Sequence, residues 1–464
     1  AIPDFLNLCE FIGVSPFITV PTSIGPSEIV LLEEYISGSA STTGGALRVA
    51  NTSAPHPAPY NFPNVSIELG NEVWNQANTG QDMSYSYETA PYASWTNTVF
   101  TAAKASPVYN SVVYTFIASG WQGAAAWNKP LALAQGCSAD AISYSWYTGL
   151  FLNDISTANE WTSQFAVPYM YVNPTSANGT NYFYQTHVYN NASSSCSYKD
   201  VNYEGIWSTE NYWPGNVTLA QIQARVSGLG AGINQFNAHL LLMKSFGHSN
   251  IQTFAYSGAG SAGAFACATS ACASAPSQTG NVPLWGNTFS LEGYWGLVRR
   301  PTAYADTMAN GAIRSNMMTS TITGVPTYTP PNVNGADSSI VTPVVYLYAF
   351  SSDNTAATTT LSAVNTDTVN TQDITTDGPL ALNGWYTVTT LASHSATPSP
   401  NDNNESGTEV VYPTTQTIQI TPNQPYTMQP FTAATFTPTA APSGTILGTT
   451  ILGSIPKSSG VSIH

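Results

Sequence analysis

Through the first ~310 residues, short apolar runs alternate with helix-length amphipathic stretches, the pattern of a parallel sheet wrapped by helices. Residues 2–12 predict a helix and 16–20 a strand, followed by a helix that contains Glu33, Glu34 and Tyr35. Further strands are predicted at 65–69, 111–118, 141–147, 203–208 and 251–256, each set off by a helix-sized segment, and 219–246 reads as the clearest helix. Six strands fall short of a closed (β/α)8 TIM-type barrel, and because the chain opens on a helix the first strands are expected upstream of residue 1. An open barrel exposes a sheet edge and apolar surface, so an upstream fragment of the same precursor is an expected partner.

From Thr319 the texture changes. Helical periodicity ends, Thr, Ser, Pro and Asn dominate, and short alternating runs at 345–350, 384–389 and 415–420 stand between turn-rich spacers. This predicts an all-β module of sandwich type. The expected domains are therefore a (β/α) barrel over 1–318, partial at its N-terminus, and a β-sandwich over 319–464. Beyond Pro438 the repeat Thr-Ile-Leu-Gly-Thr-Thr-Ile-Leu-Gly reads as a low-complexity tail or an extra strand.

Composition narrows the function. Of 464 residues only 25 are Asp or Glu and 10 Lys or Arg, giving a net charge of −15, and the charged fraction of 8% is far below the usual ~25%. A surface so poor in cations offers nothing to neutralise phosphates, which argues against nucleic acid and anionic membranes and leaves neutral ligands, sugars above all. No apolar run reaches the ~18 residues of a membrane span. With few basic groups the chain gains little positive charge when its carboxylates protonate, which leans toward a mildly acidic, secreted, extracellular setting, and the start at Ala1 without Met suggests that something upstream was removed; the Asn-x-Ser/Thr sequons at Asn51, Asn64, Asn178, Asn191, Asn216 and Asn404 are the number such a chain produces by chance and indicate glycans only in a eukaryote. Of five cysteines, Cys267 with Cys272 and Cys137 with Cys196 are plausible bridges, leaving Cys9 as a buried thiol. No CxxC pair with a nearby His cluster is present, so neither metal nor cofactor is expected.

The chemistry concentrates in two places. Residues 67–75 read Ile-Glu-Leu-Gly-Asn-Glu-Val-Trp-Asn and residues 205–213 read Gly-Ile-Trp-Ser-Thr-Glu-Asn-Tyr-Trp. Each is an apolar run ending in a carboxylate flanked by amide and aromatic side chains. Desolvating an acid is costly, and in barrels of this type functional residues sit at the carboxyl ends of strands, so Glu72 and Glu210 are expected to share one pocket and Glu68, inside its strand, to be a buried structural acid. Two carboxylates flanking a bond are the machinery of glycoside hydrolysis, and retention of configuration requires them ~5–5.5 Å apart. Asn71 can donate to a sugar hydroxyl, and Trp74, Trp121, Trp146, Trp207 and Trp213 offer flat apolar faces to sugar C–H surfaces, although any single aromatic is more often core.

The run 5–20, Glu34-Tyr35, Leu47-Arg-Val-Ala-Asn51, Pro59-Tyr60 and Glu68-Leu-Gly-Asn-Glu-Val-Trp-Asn75, in that order and spacing, resembles the middle of a family 51 α-L-arabinofuranosidase. Ser208-Thr-Glu-Asn-Tyr-Trp213 is similar to that family's nucleophile strand, Arg300-Pro-Thr-Ala-Tyr-Ala305 to its late barrel segment, and Ala363–Asp367 with Ile420–Tyr426 to its C-terminal sandwich. The resemblance covers most of the chain and implies a retaining hydrolase of neutral, plant-type polysaccharide or oligosaccharide. It assigns Glu72 as general acid/base, Glu210 as nucleophile and Asn71 as a contact near the sugar 2-hydroxyl. The substrate-binding set is Asn71, Trp74, Trp121, Tyr147, His187 and Trp213. Where the family has Ser-x-His-x-Tyr, this chain reads Ser143-Tyr-Ser-Trp-Tyr147, so Ser145 replaces a ring, and His187 and Tyr189 are candidates to reach in from a following loop, against the plainer reading of a surface His. Gly-Asn-Glu is shared across a whole clan, so a xylosidase, glucuronidase or endoglucanase is the second reading. A non-catalytic surface, filament or carbohydrate-binding protein, with homo-oligomer formation, is the third.

Overall fold

The computed structural model describes residues 2–52, 54–74, 89–121, 125–134, 136–148, 158–175, 187, 196–207, 224, 227–247, 288–290, 297–330, 339–442 and 460–463. The predicted strand at 251–256 lies outside them. Two compact units are formed, one from Ala1–Trp146, Asn181–Glu204 and Phe246–Ile251, the other from Tyr147–Thr180, Gly205–Ser245 and Gln252–His464.

In the first unit, helices and strands alternate: α1 (Ile2–Ile12), β1 (Phe17–Val20), α2 (Pro26–Ser37), α3 (Thr43–Ala50), β2 (Val65–Leu69), α4 (Thr89–Lys104), β3 (Tyr114–Ser119), α5 (Ala125–Ala134), β4 (Ala141–Thr148) and, later in the chain, β5 (Lys199–Trp207). The strands form one sheet in the order β1-β2-β3-β4-β5. β1 through β4 pair in parallel, with Thr19 beside Glu68, Glu68 beside Ile117 and Ile117 beside Ala141. A parallel α/β sheet of this kind is consistent with the barrel expected from the sequence.

Alternation along the strands separates two faces. Ile18, Val20, Ile67, Leu69, Phe116, Ala118 and Ile142 join the main core with Leu6, Ile29, Ile36, Val99 and Phe100 from the helices. Phe17, Ile117, Ala141 and Val201 form a small cluster of their own on the other face. By the same alternation that inner face also carries Thr19, Ser66, Glu68, Thr115, Ser119, Ser143, Ser145, Lys199 and Tyr203, so beyond its apolar cluster it is built mostly of hydroxyls around the acid Glu68. Cys137 and Cys196 are disulfide-bonded, with Cα atoms 5.4 Å apart, and Cys9 is a buried free thiol. Cys267 and Cys272 lie outside the described residues.

Arg48 is wholly buried and explains the local fold of α2 and α3. Its guanidinium donates to the carbonyls of Tyr35 (2.6 Å), Gly38 (2.8 Å) and His56 (3.1 Å), so one cation satisfies the orphan carbonyls at the end of α2.

The second unit holds α6 (Ala158–Val172), α7 (Leu229–Phe246, all but its last residue), β6 (Thr288–Ser290), β7 (Leu297–Arg299) and α8 (Pro301–Ala312), after which, among the described residues, all regular structure but one short 3-10 turn is β. Its strands are β8 (Asn316–Met317), β9 (Ile322–Thr323), β10 (Thr327–Tyr328), β11 (Thr342–Pro343), β12 (Val345–Ser351), β13 (Thr360–Asn365), β14 (Gln372–Thr376), β15 (Gly384–Ser393), β16 (Val411–Ile420), β17 (Tyr426–Met428), β18 (Thr432–Pro438) and β19 (Gly460–Ile463). A six-stranded sheet runs β16-β15-β18-β13-β12-β8 and a four-stranded one β17-β14-β19-β9. Leu347, Leu361, Val388 and Phe436 from the first pack with Ile374 and Met428 from the second. Within this unit the buried Arg300 makes a two-pronged bond to Glu405 (2.6 and 3.3 Å), and Trp161 donates to Asn401 (2.7 Å).

Candidate active site

β2 is buried along its whole length, which a strand covered on both faces requires. It stops at Leu69 because the next residues turn: Gly70 has φ 78° and Glu72 φ 46°. Glycine enters the left-handed region freely, but a glutamate there costs about 1 kcal/mol, and such strain gathers at functional positions. The turn carries Asn71, Glu72 and Trp74 off the carboxyl end of the strand.

The ends of β2 and β3 are tied together by Tyr92 on α4, whose hydroxyl donates to the Leu69 carbonyl (2.6 Å) and accepts from the Ser119 N–H (2.7 Å). The segment after β3 is fixed by the buried Asn128 on α5, which accepts from the Trp121 N–H (2.8 Å) and donates to its carbonyl (2.5 Å). Trp121 is thereby stacked on Trp74, ring centroids 4.7 Å apart and planes within 2°. Of the residues anticipated for the site, Asn71, Glu72, Trp74 and Trp121 come together here.

Two groups on the inner face complete the arrangement. Glu68 is fully buried, accepting hydrogen bonds from Ser143 and from Thr19 (3.4 Å). Burial pushes its carboxyl up to about 8, the hydroxyls of Ser143 and Thr19 partly oppose this, and the nearby acids Glu204 and Glu72 add to it. At neutral and acidic pH Glu68 is therefore mostly uncharged. On β5, the buried Tyr203 donates its hydroxyl to Glu72 Oε1 at 3.1 Å. Burial drives the Tyr203 phenol well above its usual range, as do the acids Glu72, Glu204 and Glu68, while a hydrogen bond from Ser145 acts in the opposite direction. Tyr203, Tyr92 and Asn128 are absent from the residues anticipated from the sequence. All three look like ordinary core or helix positions there, and only the alternation of β5, which places Tyr203 on the same face as Val201, was available to single one out.

His187 pairs with Asp200 and stacks on Phe246, centroids 4.7 Å apart. Asp200 alternates with Val201 and Tyr203 along β5, so these contacts hold the His187 ring on the helix-covered face, opposite Glu72. Tyr147 belongs to β4 but its side chain, like the whole of Glu210, Trp213 and Tyr189, lies outside the described residues. Among the described residues no group of three or more His, Cys, Asp or Glu could hold a metal ion, and no helix is long and apolar enough to cross a membrane.

No protein family matches the chain by sequence, and no curated relative does. Solved structures do match. The fold is similar to that of a family 51 α-L-arabinofuranosidase from Bifidobacterium longum (TM-score 0.64, 17% identity, covering 94% of this chain and 78% of that one). It is similar also to the α-L-arabinofuranosidase of Thermotoga maritima solved with arabinose (0.61, 18%, 94% and 78%). More distantly it matches a family 44 xyloglucanase from Paenibacillus polymyxa (0.52, 11%, 95% and 84%). The likeness to family 51 drawn from sequence motifs is thus met by likeness of fold, in a chain that differs from these enzymes at more than four of every five positions.

Proposed function

We propose that this protein is a retaining glycoside hydrolase of α-L-arabinofuranosidase type, acting on a neutral polysaccharide or oligosaccharide. Its five-stranded sheet is, in this reading, part of a (β/α)8 barrel. The observation that carries the proposal is Glu72: a carboxylate at the carboxyl end of a parallel strand, on strained backbone, hydrogen-bonded by a buried tyrosine and flanked by Asn71 and a tryptophan stack.

Glu72 protonates the leaving oxygen while Glu210 attacks the anomeric carbon. Water then hydrolyses the glycosyl ester, with Glu72 taking its proton. Asn71 holds the sugar near its 2-hydroxyl, and the tryptophans meet its C–H surface. The Cys137–Cys196 disulfide supports an oxidising, extracellular setting. The similarity to a xyloglucanase keeps a second reading in play, a clan relative acting on β-linked glucans or xylans with the same two carboxylates.

The test is a panel of aryl glycosides against the wild type, Glu210→Gln and Glu72→Ala. Turnover should vanish in Glu210→Gln, and in Glu72→Ala should survive only for substrates with good leaving groups at the first step. Near-normal rates in both variants would end the assignment.

A further inference from the structure

β16 lies at the rim of the six-stranded sheet. It pairs antiparallel with β15 along its whole length and, among the described residues, with no second strand. Hydrogen-bond parity shows which of its backbone groups face outward. The Thr439 N–H reaches the Trp385 carbonyl (2.9 Å), so β15 bonds to β18 through its odd-numbered residues, and the His394 N–H reaches the Val410 carbonyl (2.8 Å), an even-numbered pair on the other side. Such pairs alternate in an antiparallel ladder. The even-numbered residues of β16 therefore bond to β15, while Val411, Pro413, Thr415, Thr417 and Gln419 turn their backbone groups away from the sheet.

The first two of these positions are closed. The Asn404 side chain accepts from the Val411 N–H (3.0 Å) and donates to its carbonyl (2.8 Å). Pro413 has no N–H to offer. Thr415, Thr417 and Gln419 remain, all exposed, each with one donor and one acceptor facing outward. Folded proteins commonly guard such an edge with charged side chains. Here β15, β16 and β18 contain no Asp, Glu, Lys or Arg, in a chain whose net charge is −15. A second, equally acidic copy would thus meet no like charge along this strand.

We propose that this edge is a two-fold contact on which β16 of a second copy of the chain pairs antiparallel, centred on Thr417. Contacts of this kind use one patch twice, so the patch must complement itself. With Thr417 opposite its own copy, Thr415 of each chain faces Gln419 of the other, and all six outward N–H groups meet all six carbonyls of these residues. Other registers do worse. Centring on Thr415 or Gln416 sets Pro413 against Thr417 or Gln419, where a donor is missing, and centring on Ile418 sets Thr415 beyond the strand end at Ile420. In the favoured register the threonines also form a cross-strand pair at the axis. The contact is small for a specific interface, so a dissociation constant on the order of 10–100 μM is expected.

The test is sedimentation velocity of the full-length protein at concentrations from well below to well above that range. The wild type should pass from the mass of one chain to twice that mass and stop there. Thr417→Pro removes the central donor but no bond to β15, because position 417 faces outward as Pro413 does. It should keep the wild-type circular dichroism spectrum and stay at one chain mass. Thr417→Lys and Thr417→Glu each set like charges opposite themselves and should also stay single, whereas an equal mixture of the two should regain the doubled mass. These exposed substitutions carry the test if Thr417→Pro does not fold. A wild type that keeps one chain mass throughout overturns the proposal. So does a doubled mass that all three variants retain, and so does a mixture that stays single, since position 417 would then not lie against itself.

Discussion

The buried acid beneath the site gives the protein a stability that depends on pH in a direction opposite to that of an ordinary ion-paired carboxylate. Glu68 is fully buried, with hydroxyl partners and, among the described residues, no cation, and its carboxyl is raised from 4.5 to about 8. The folded state thus holds this proton more tightly than the unfolded one. Its contribution is complete below pH 4.5, declines as pH rises, and is lost once pH passes about 8. At about 1.36 kcal/mol per pH unit, the loss across that window approaches 5 kcal/mol, a large share of the stability of a typical domain. Glu68→Gln keeps the shape and removes the charge. The amide must find an acceptor among the same hydroxyls, so a cost of about 1 kcal/mol at pH 5 is expected. The order should reverse near pH ~6, and by pH 8 the variant should be the more stable by about 3 kcal/mol. Urea unfolding of both proteins from pH 5 to pH 9 measures this as a difference curve in which every other titrating group cancels. A difference independent of pH would show that Glu68 is not held neutral, and the account of the inner face would fail with it.

Three further outcomes follow from the packing. The Cys137–Cys196 bridge joins residues 59 apart, and on a chain-entropy basis replacing both by Ser should lower stability by about 4 kcal/mol, read as a shift in the urea midpoint. Gly230 lies against the Trp161 ring, where an added Cβ would sit 2.1 Å from the nearest ring carbon. Gly230→Ala should therefore destabilise by about 3 kcal/mol despite a helix-propensity gain of about 1, and an unchanged melting temperature would contradict the packing. Trp121→Ala removes one ring of the stack with Trp74 and should raise KM roughly 2- to 10-fold with kcat less affected, whereas an unchanged KM would assign the stack to structure alone.

The strands legible in the sequence are those buried on both faces. Apart from Glu68, Val65–Leu69 and Ala141–Thr148 are runs of apolar, aromatic and small hydroxyl residues, and the structure begins and ends them within a residue of where the pattern does. β5 was harder: its apolar pattern starts at Tyr203, but the strand begins at Lys199. The buried Asp200 and Asn202 disguise that first half as a loop, since the sequence does not reveal that Asp200 will pair with His187. Glu68 and Glu72 were both readable because acids are scarce and one stands inside an apolar run. What joins them to the rest of the site was not readable. The hydroxyls of Tyr203, Ser145 and Tyr92 become informative only when strand register brings distant positions onto one face, and the turn that lifts Glu72 off the sheet depends on a backbone angle rather than a residue type.

The disulfide also determines how the chain survives being cut. Backbone cleavage anywhere between residues 138 and 195, a stretch that includes all of β4 and all of α6, severs the polypeptide but not the molecule. The two pieces stay covalently joined through Cys137 and Cys196. A nicked sample would keep its mass and migrate as a single species until a thiol is added, so protease damage in this region is visible only under reducing conditions.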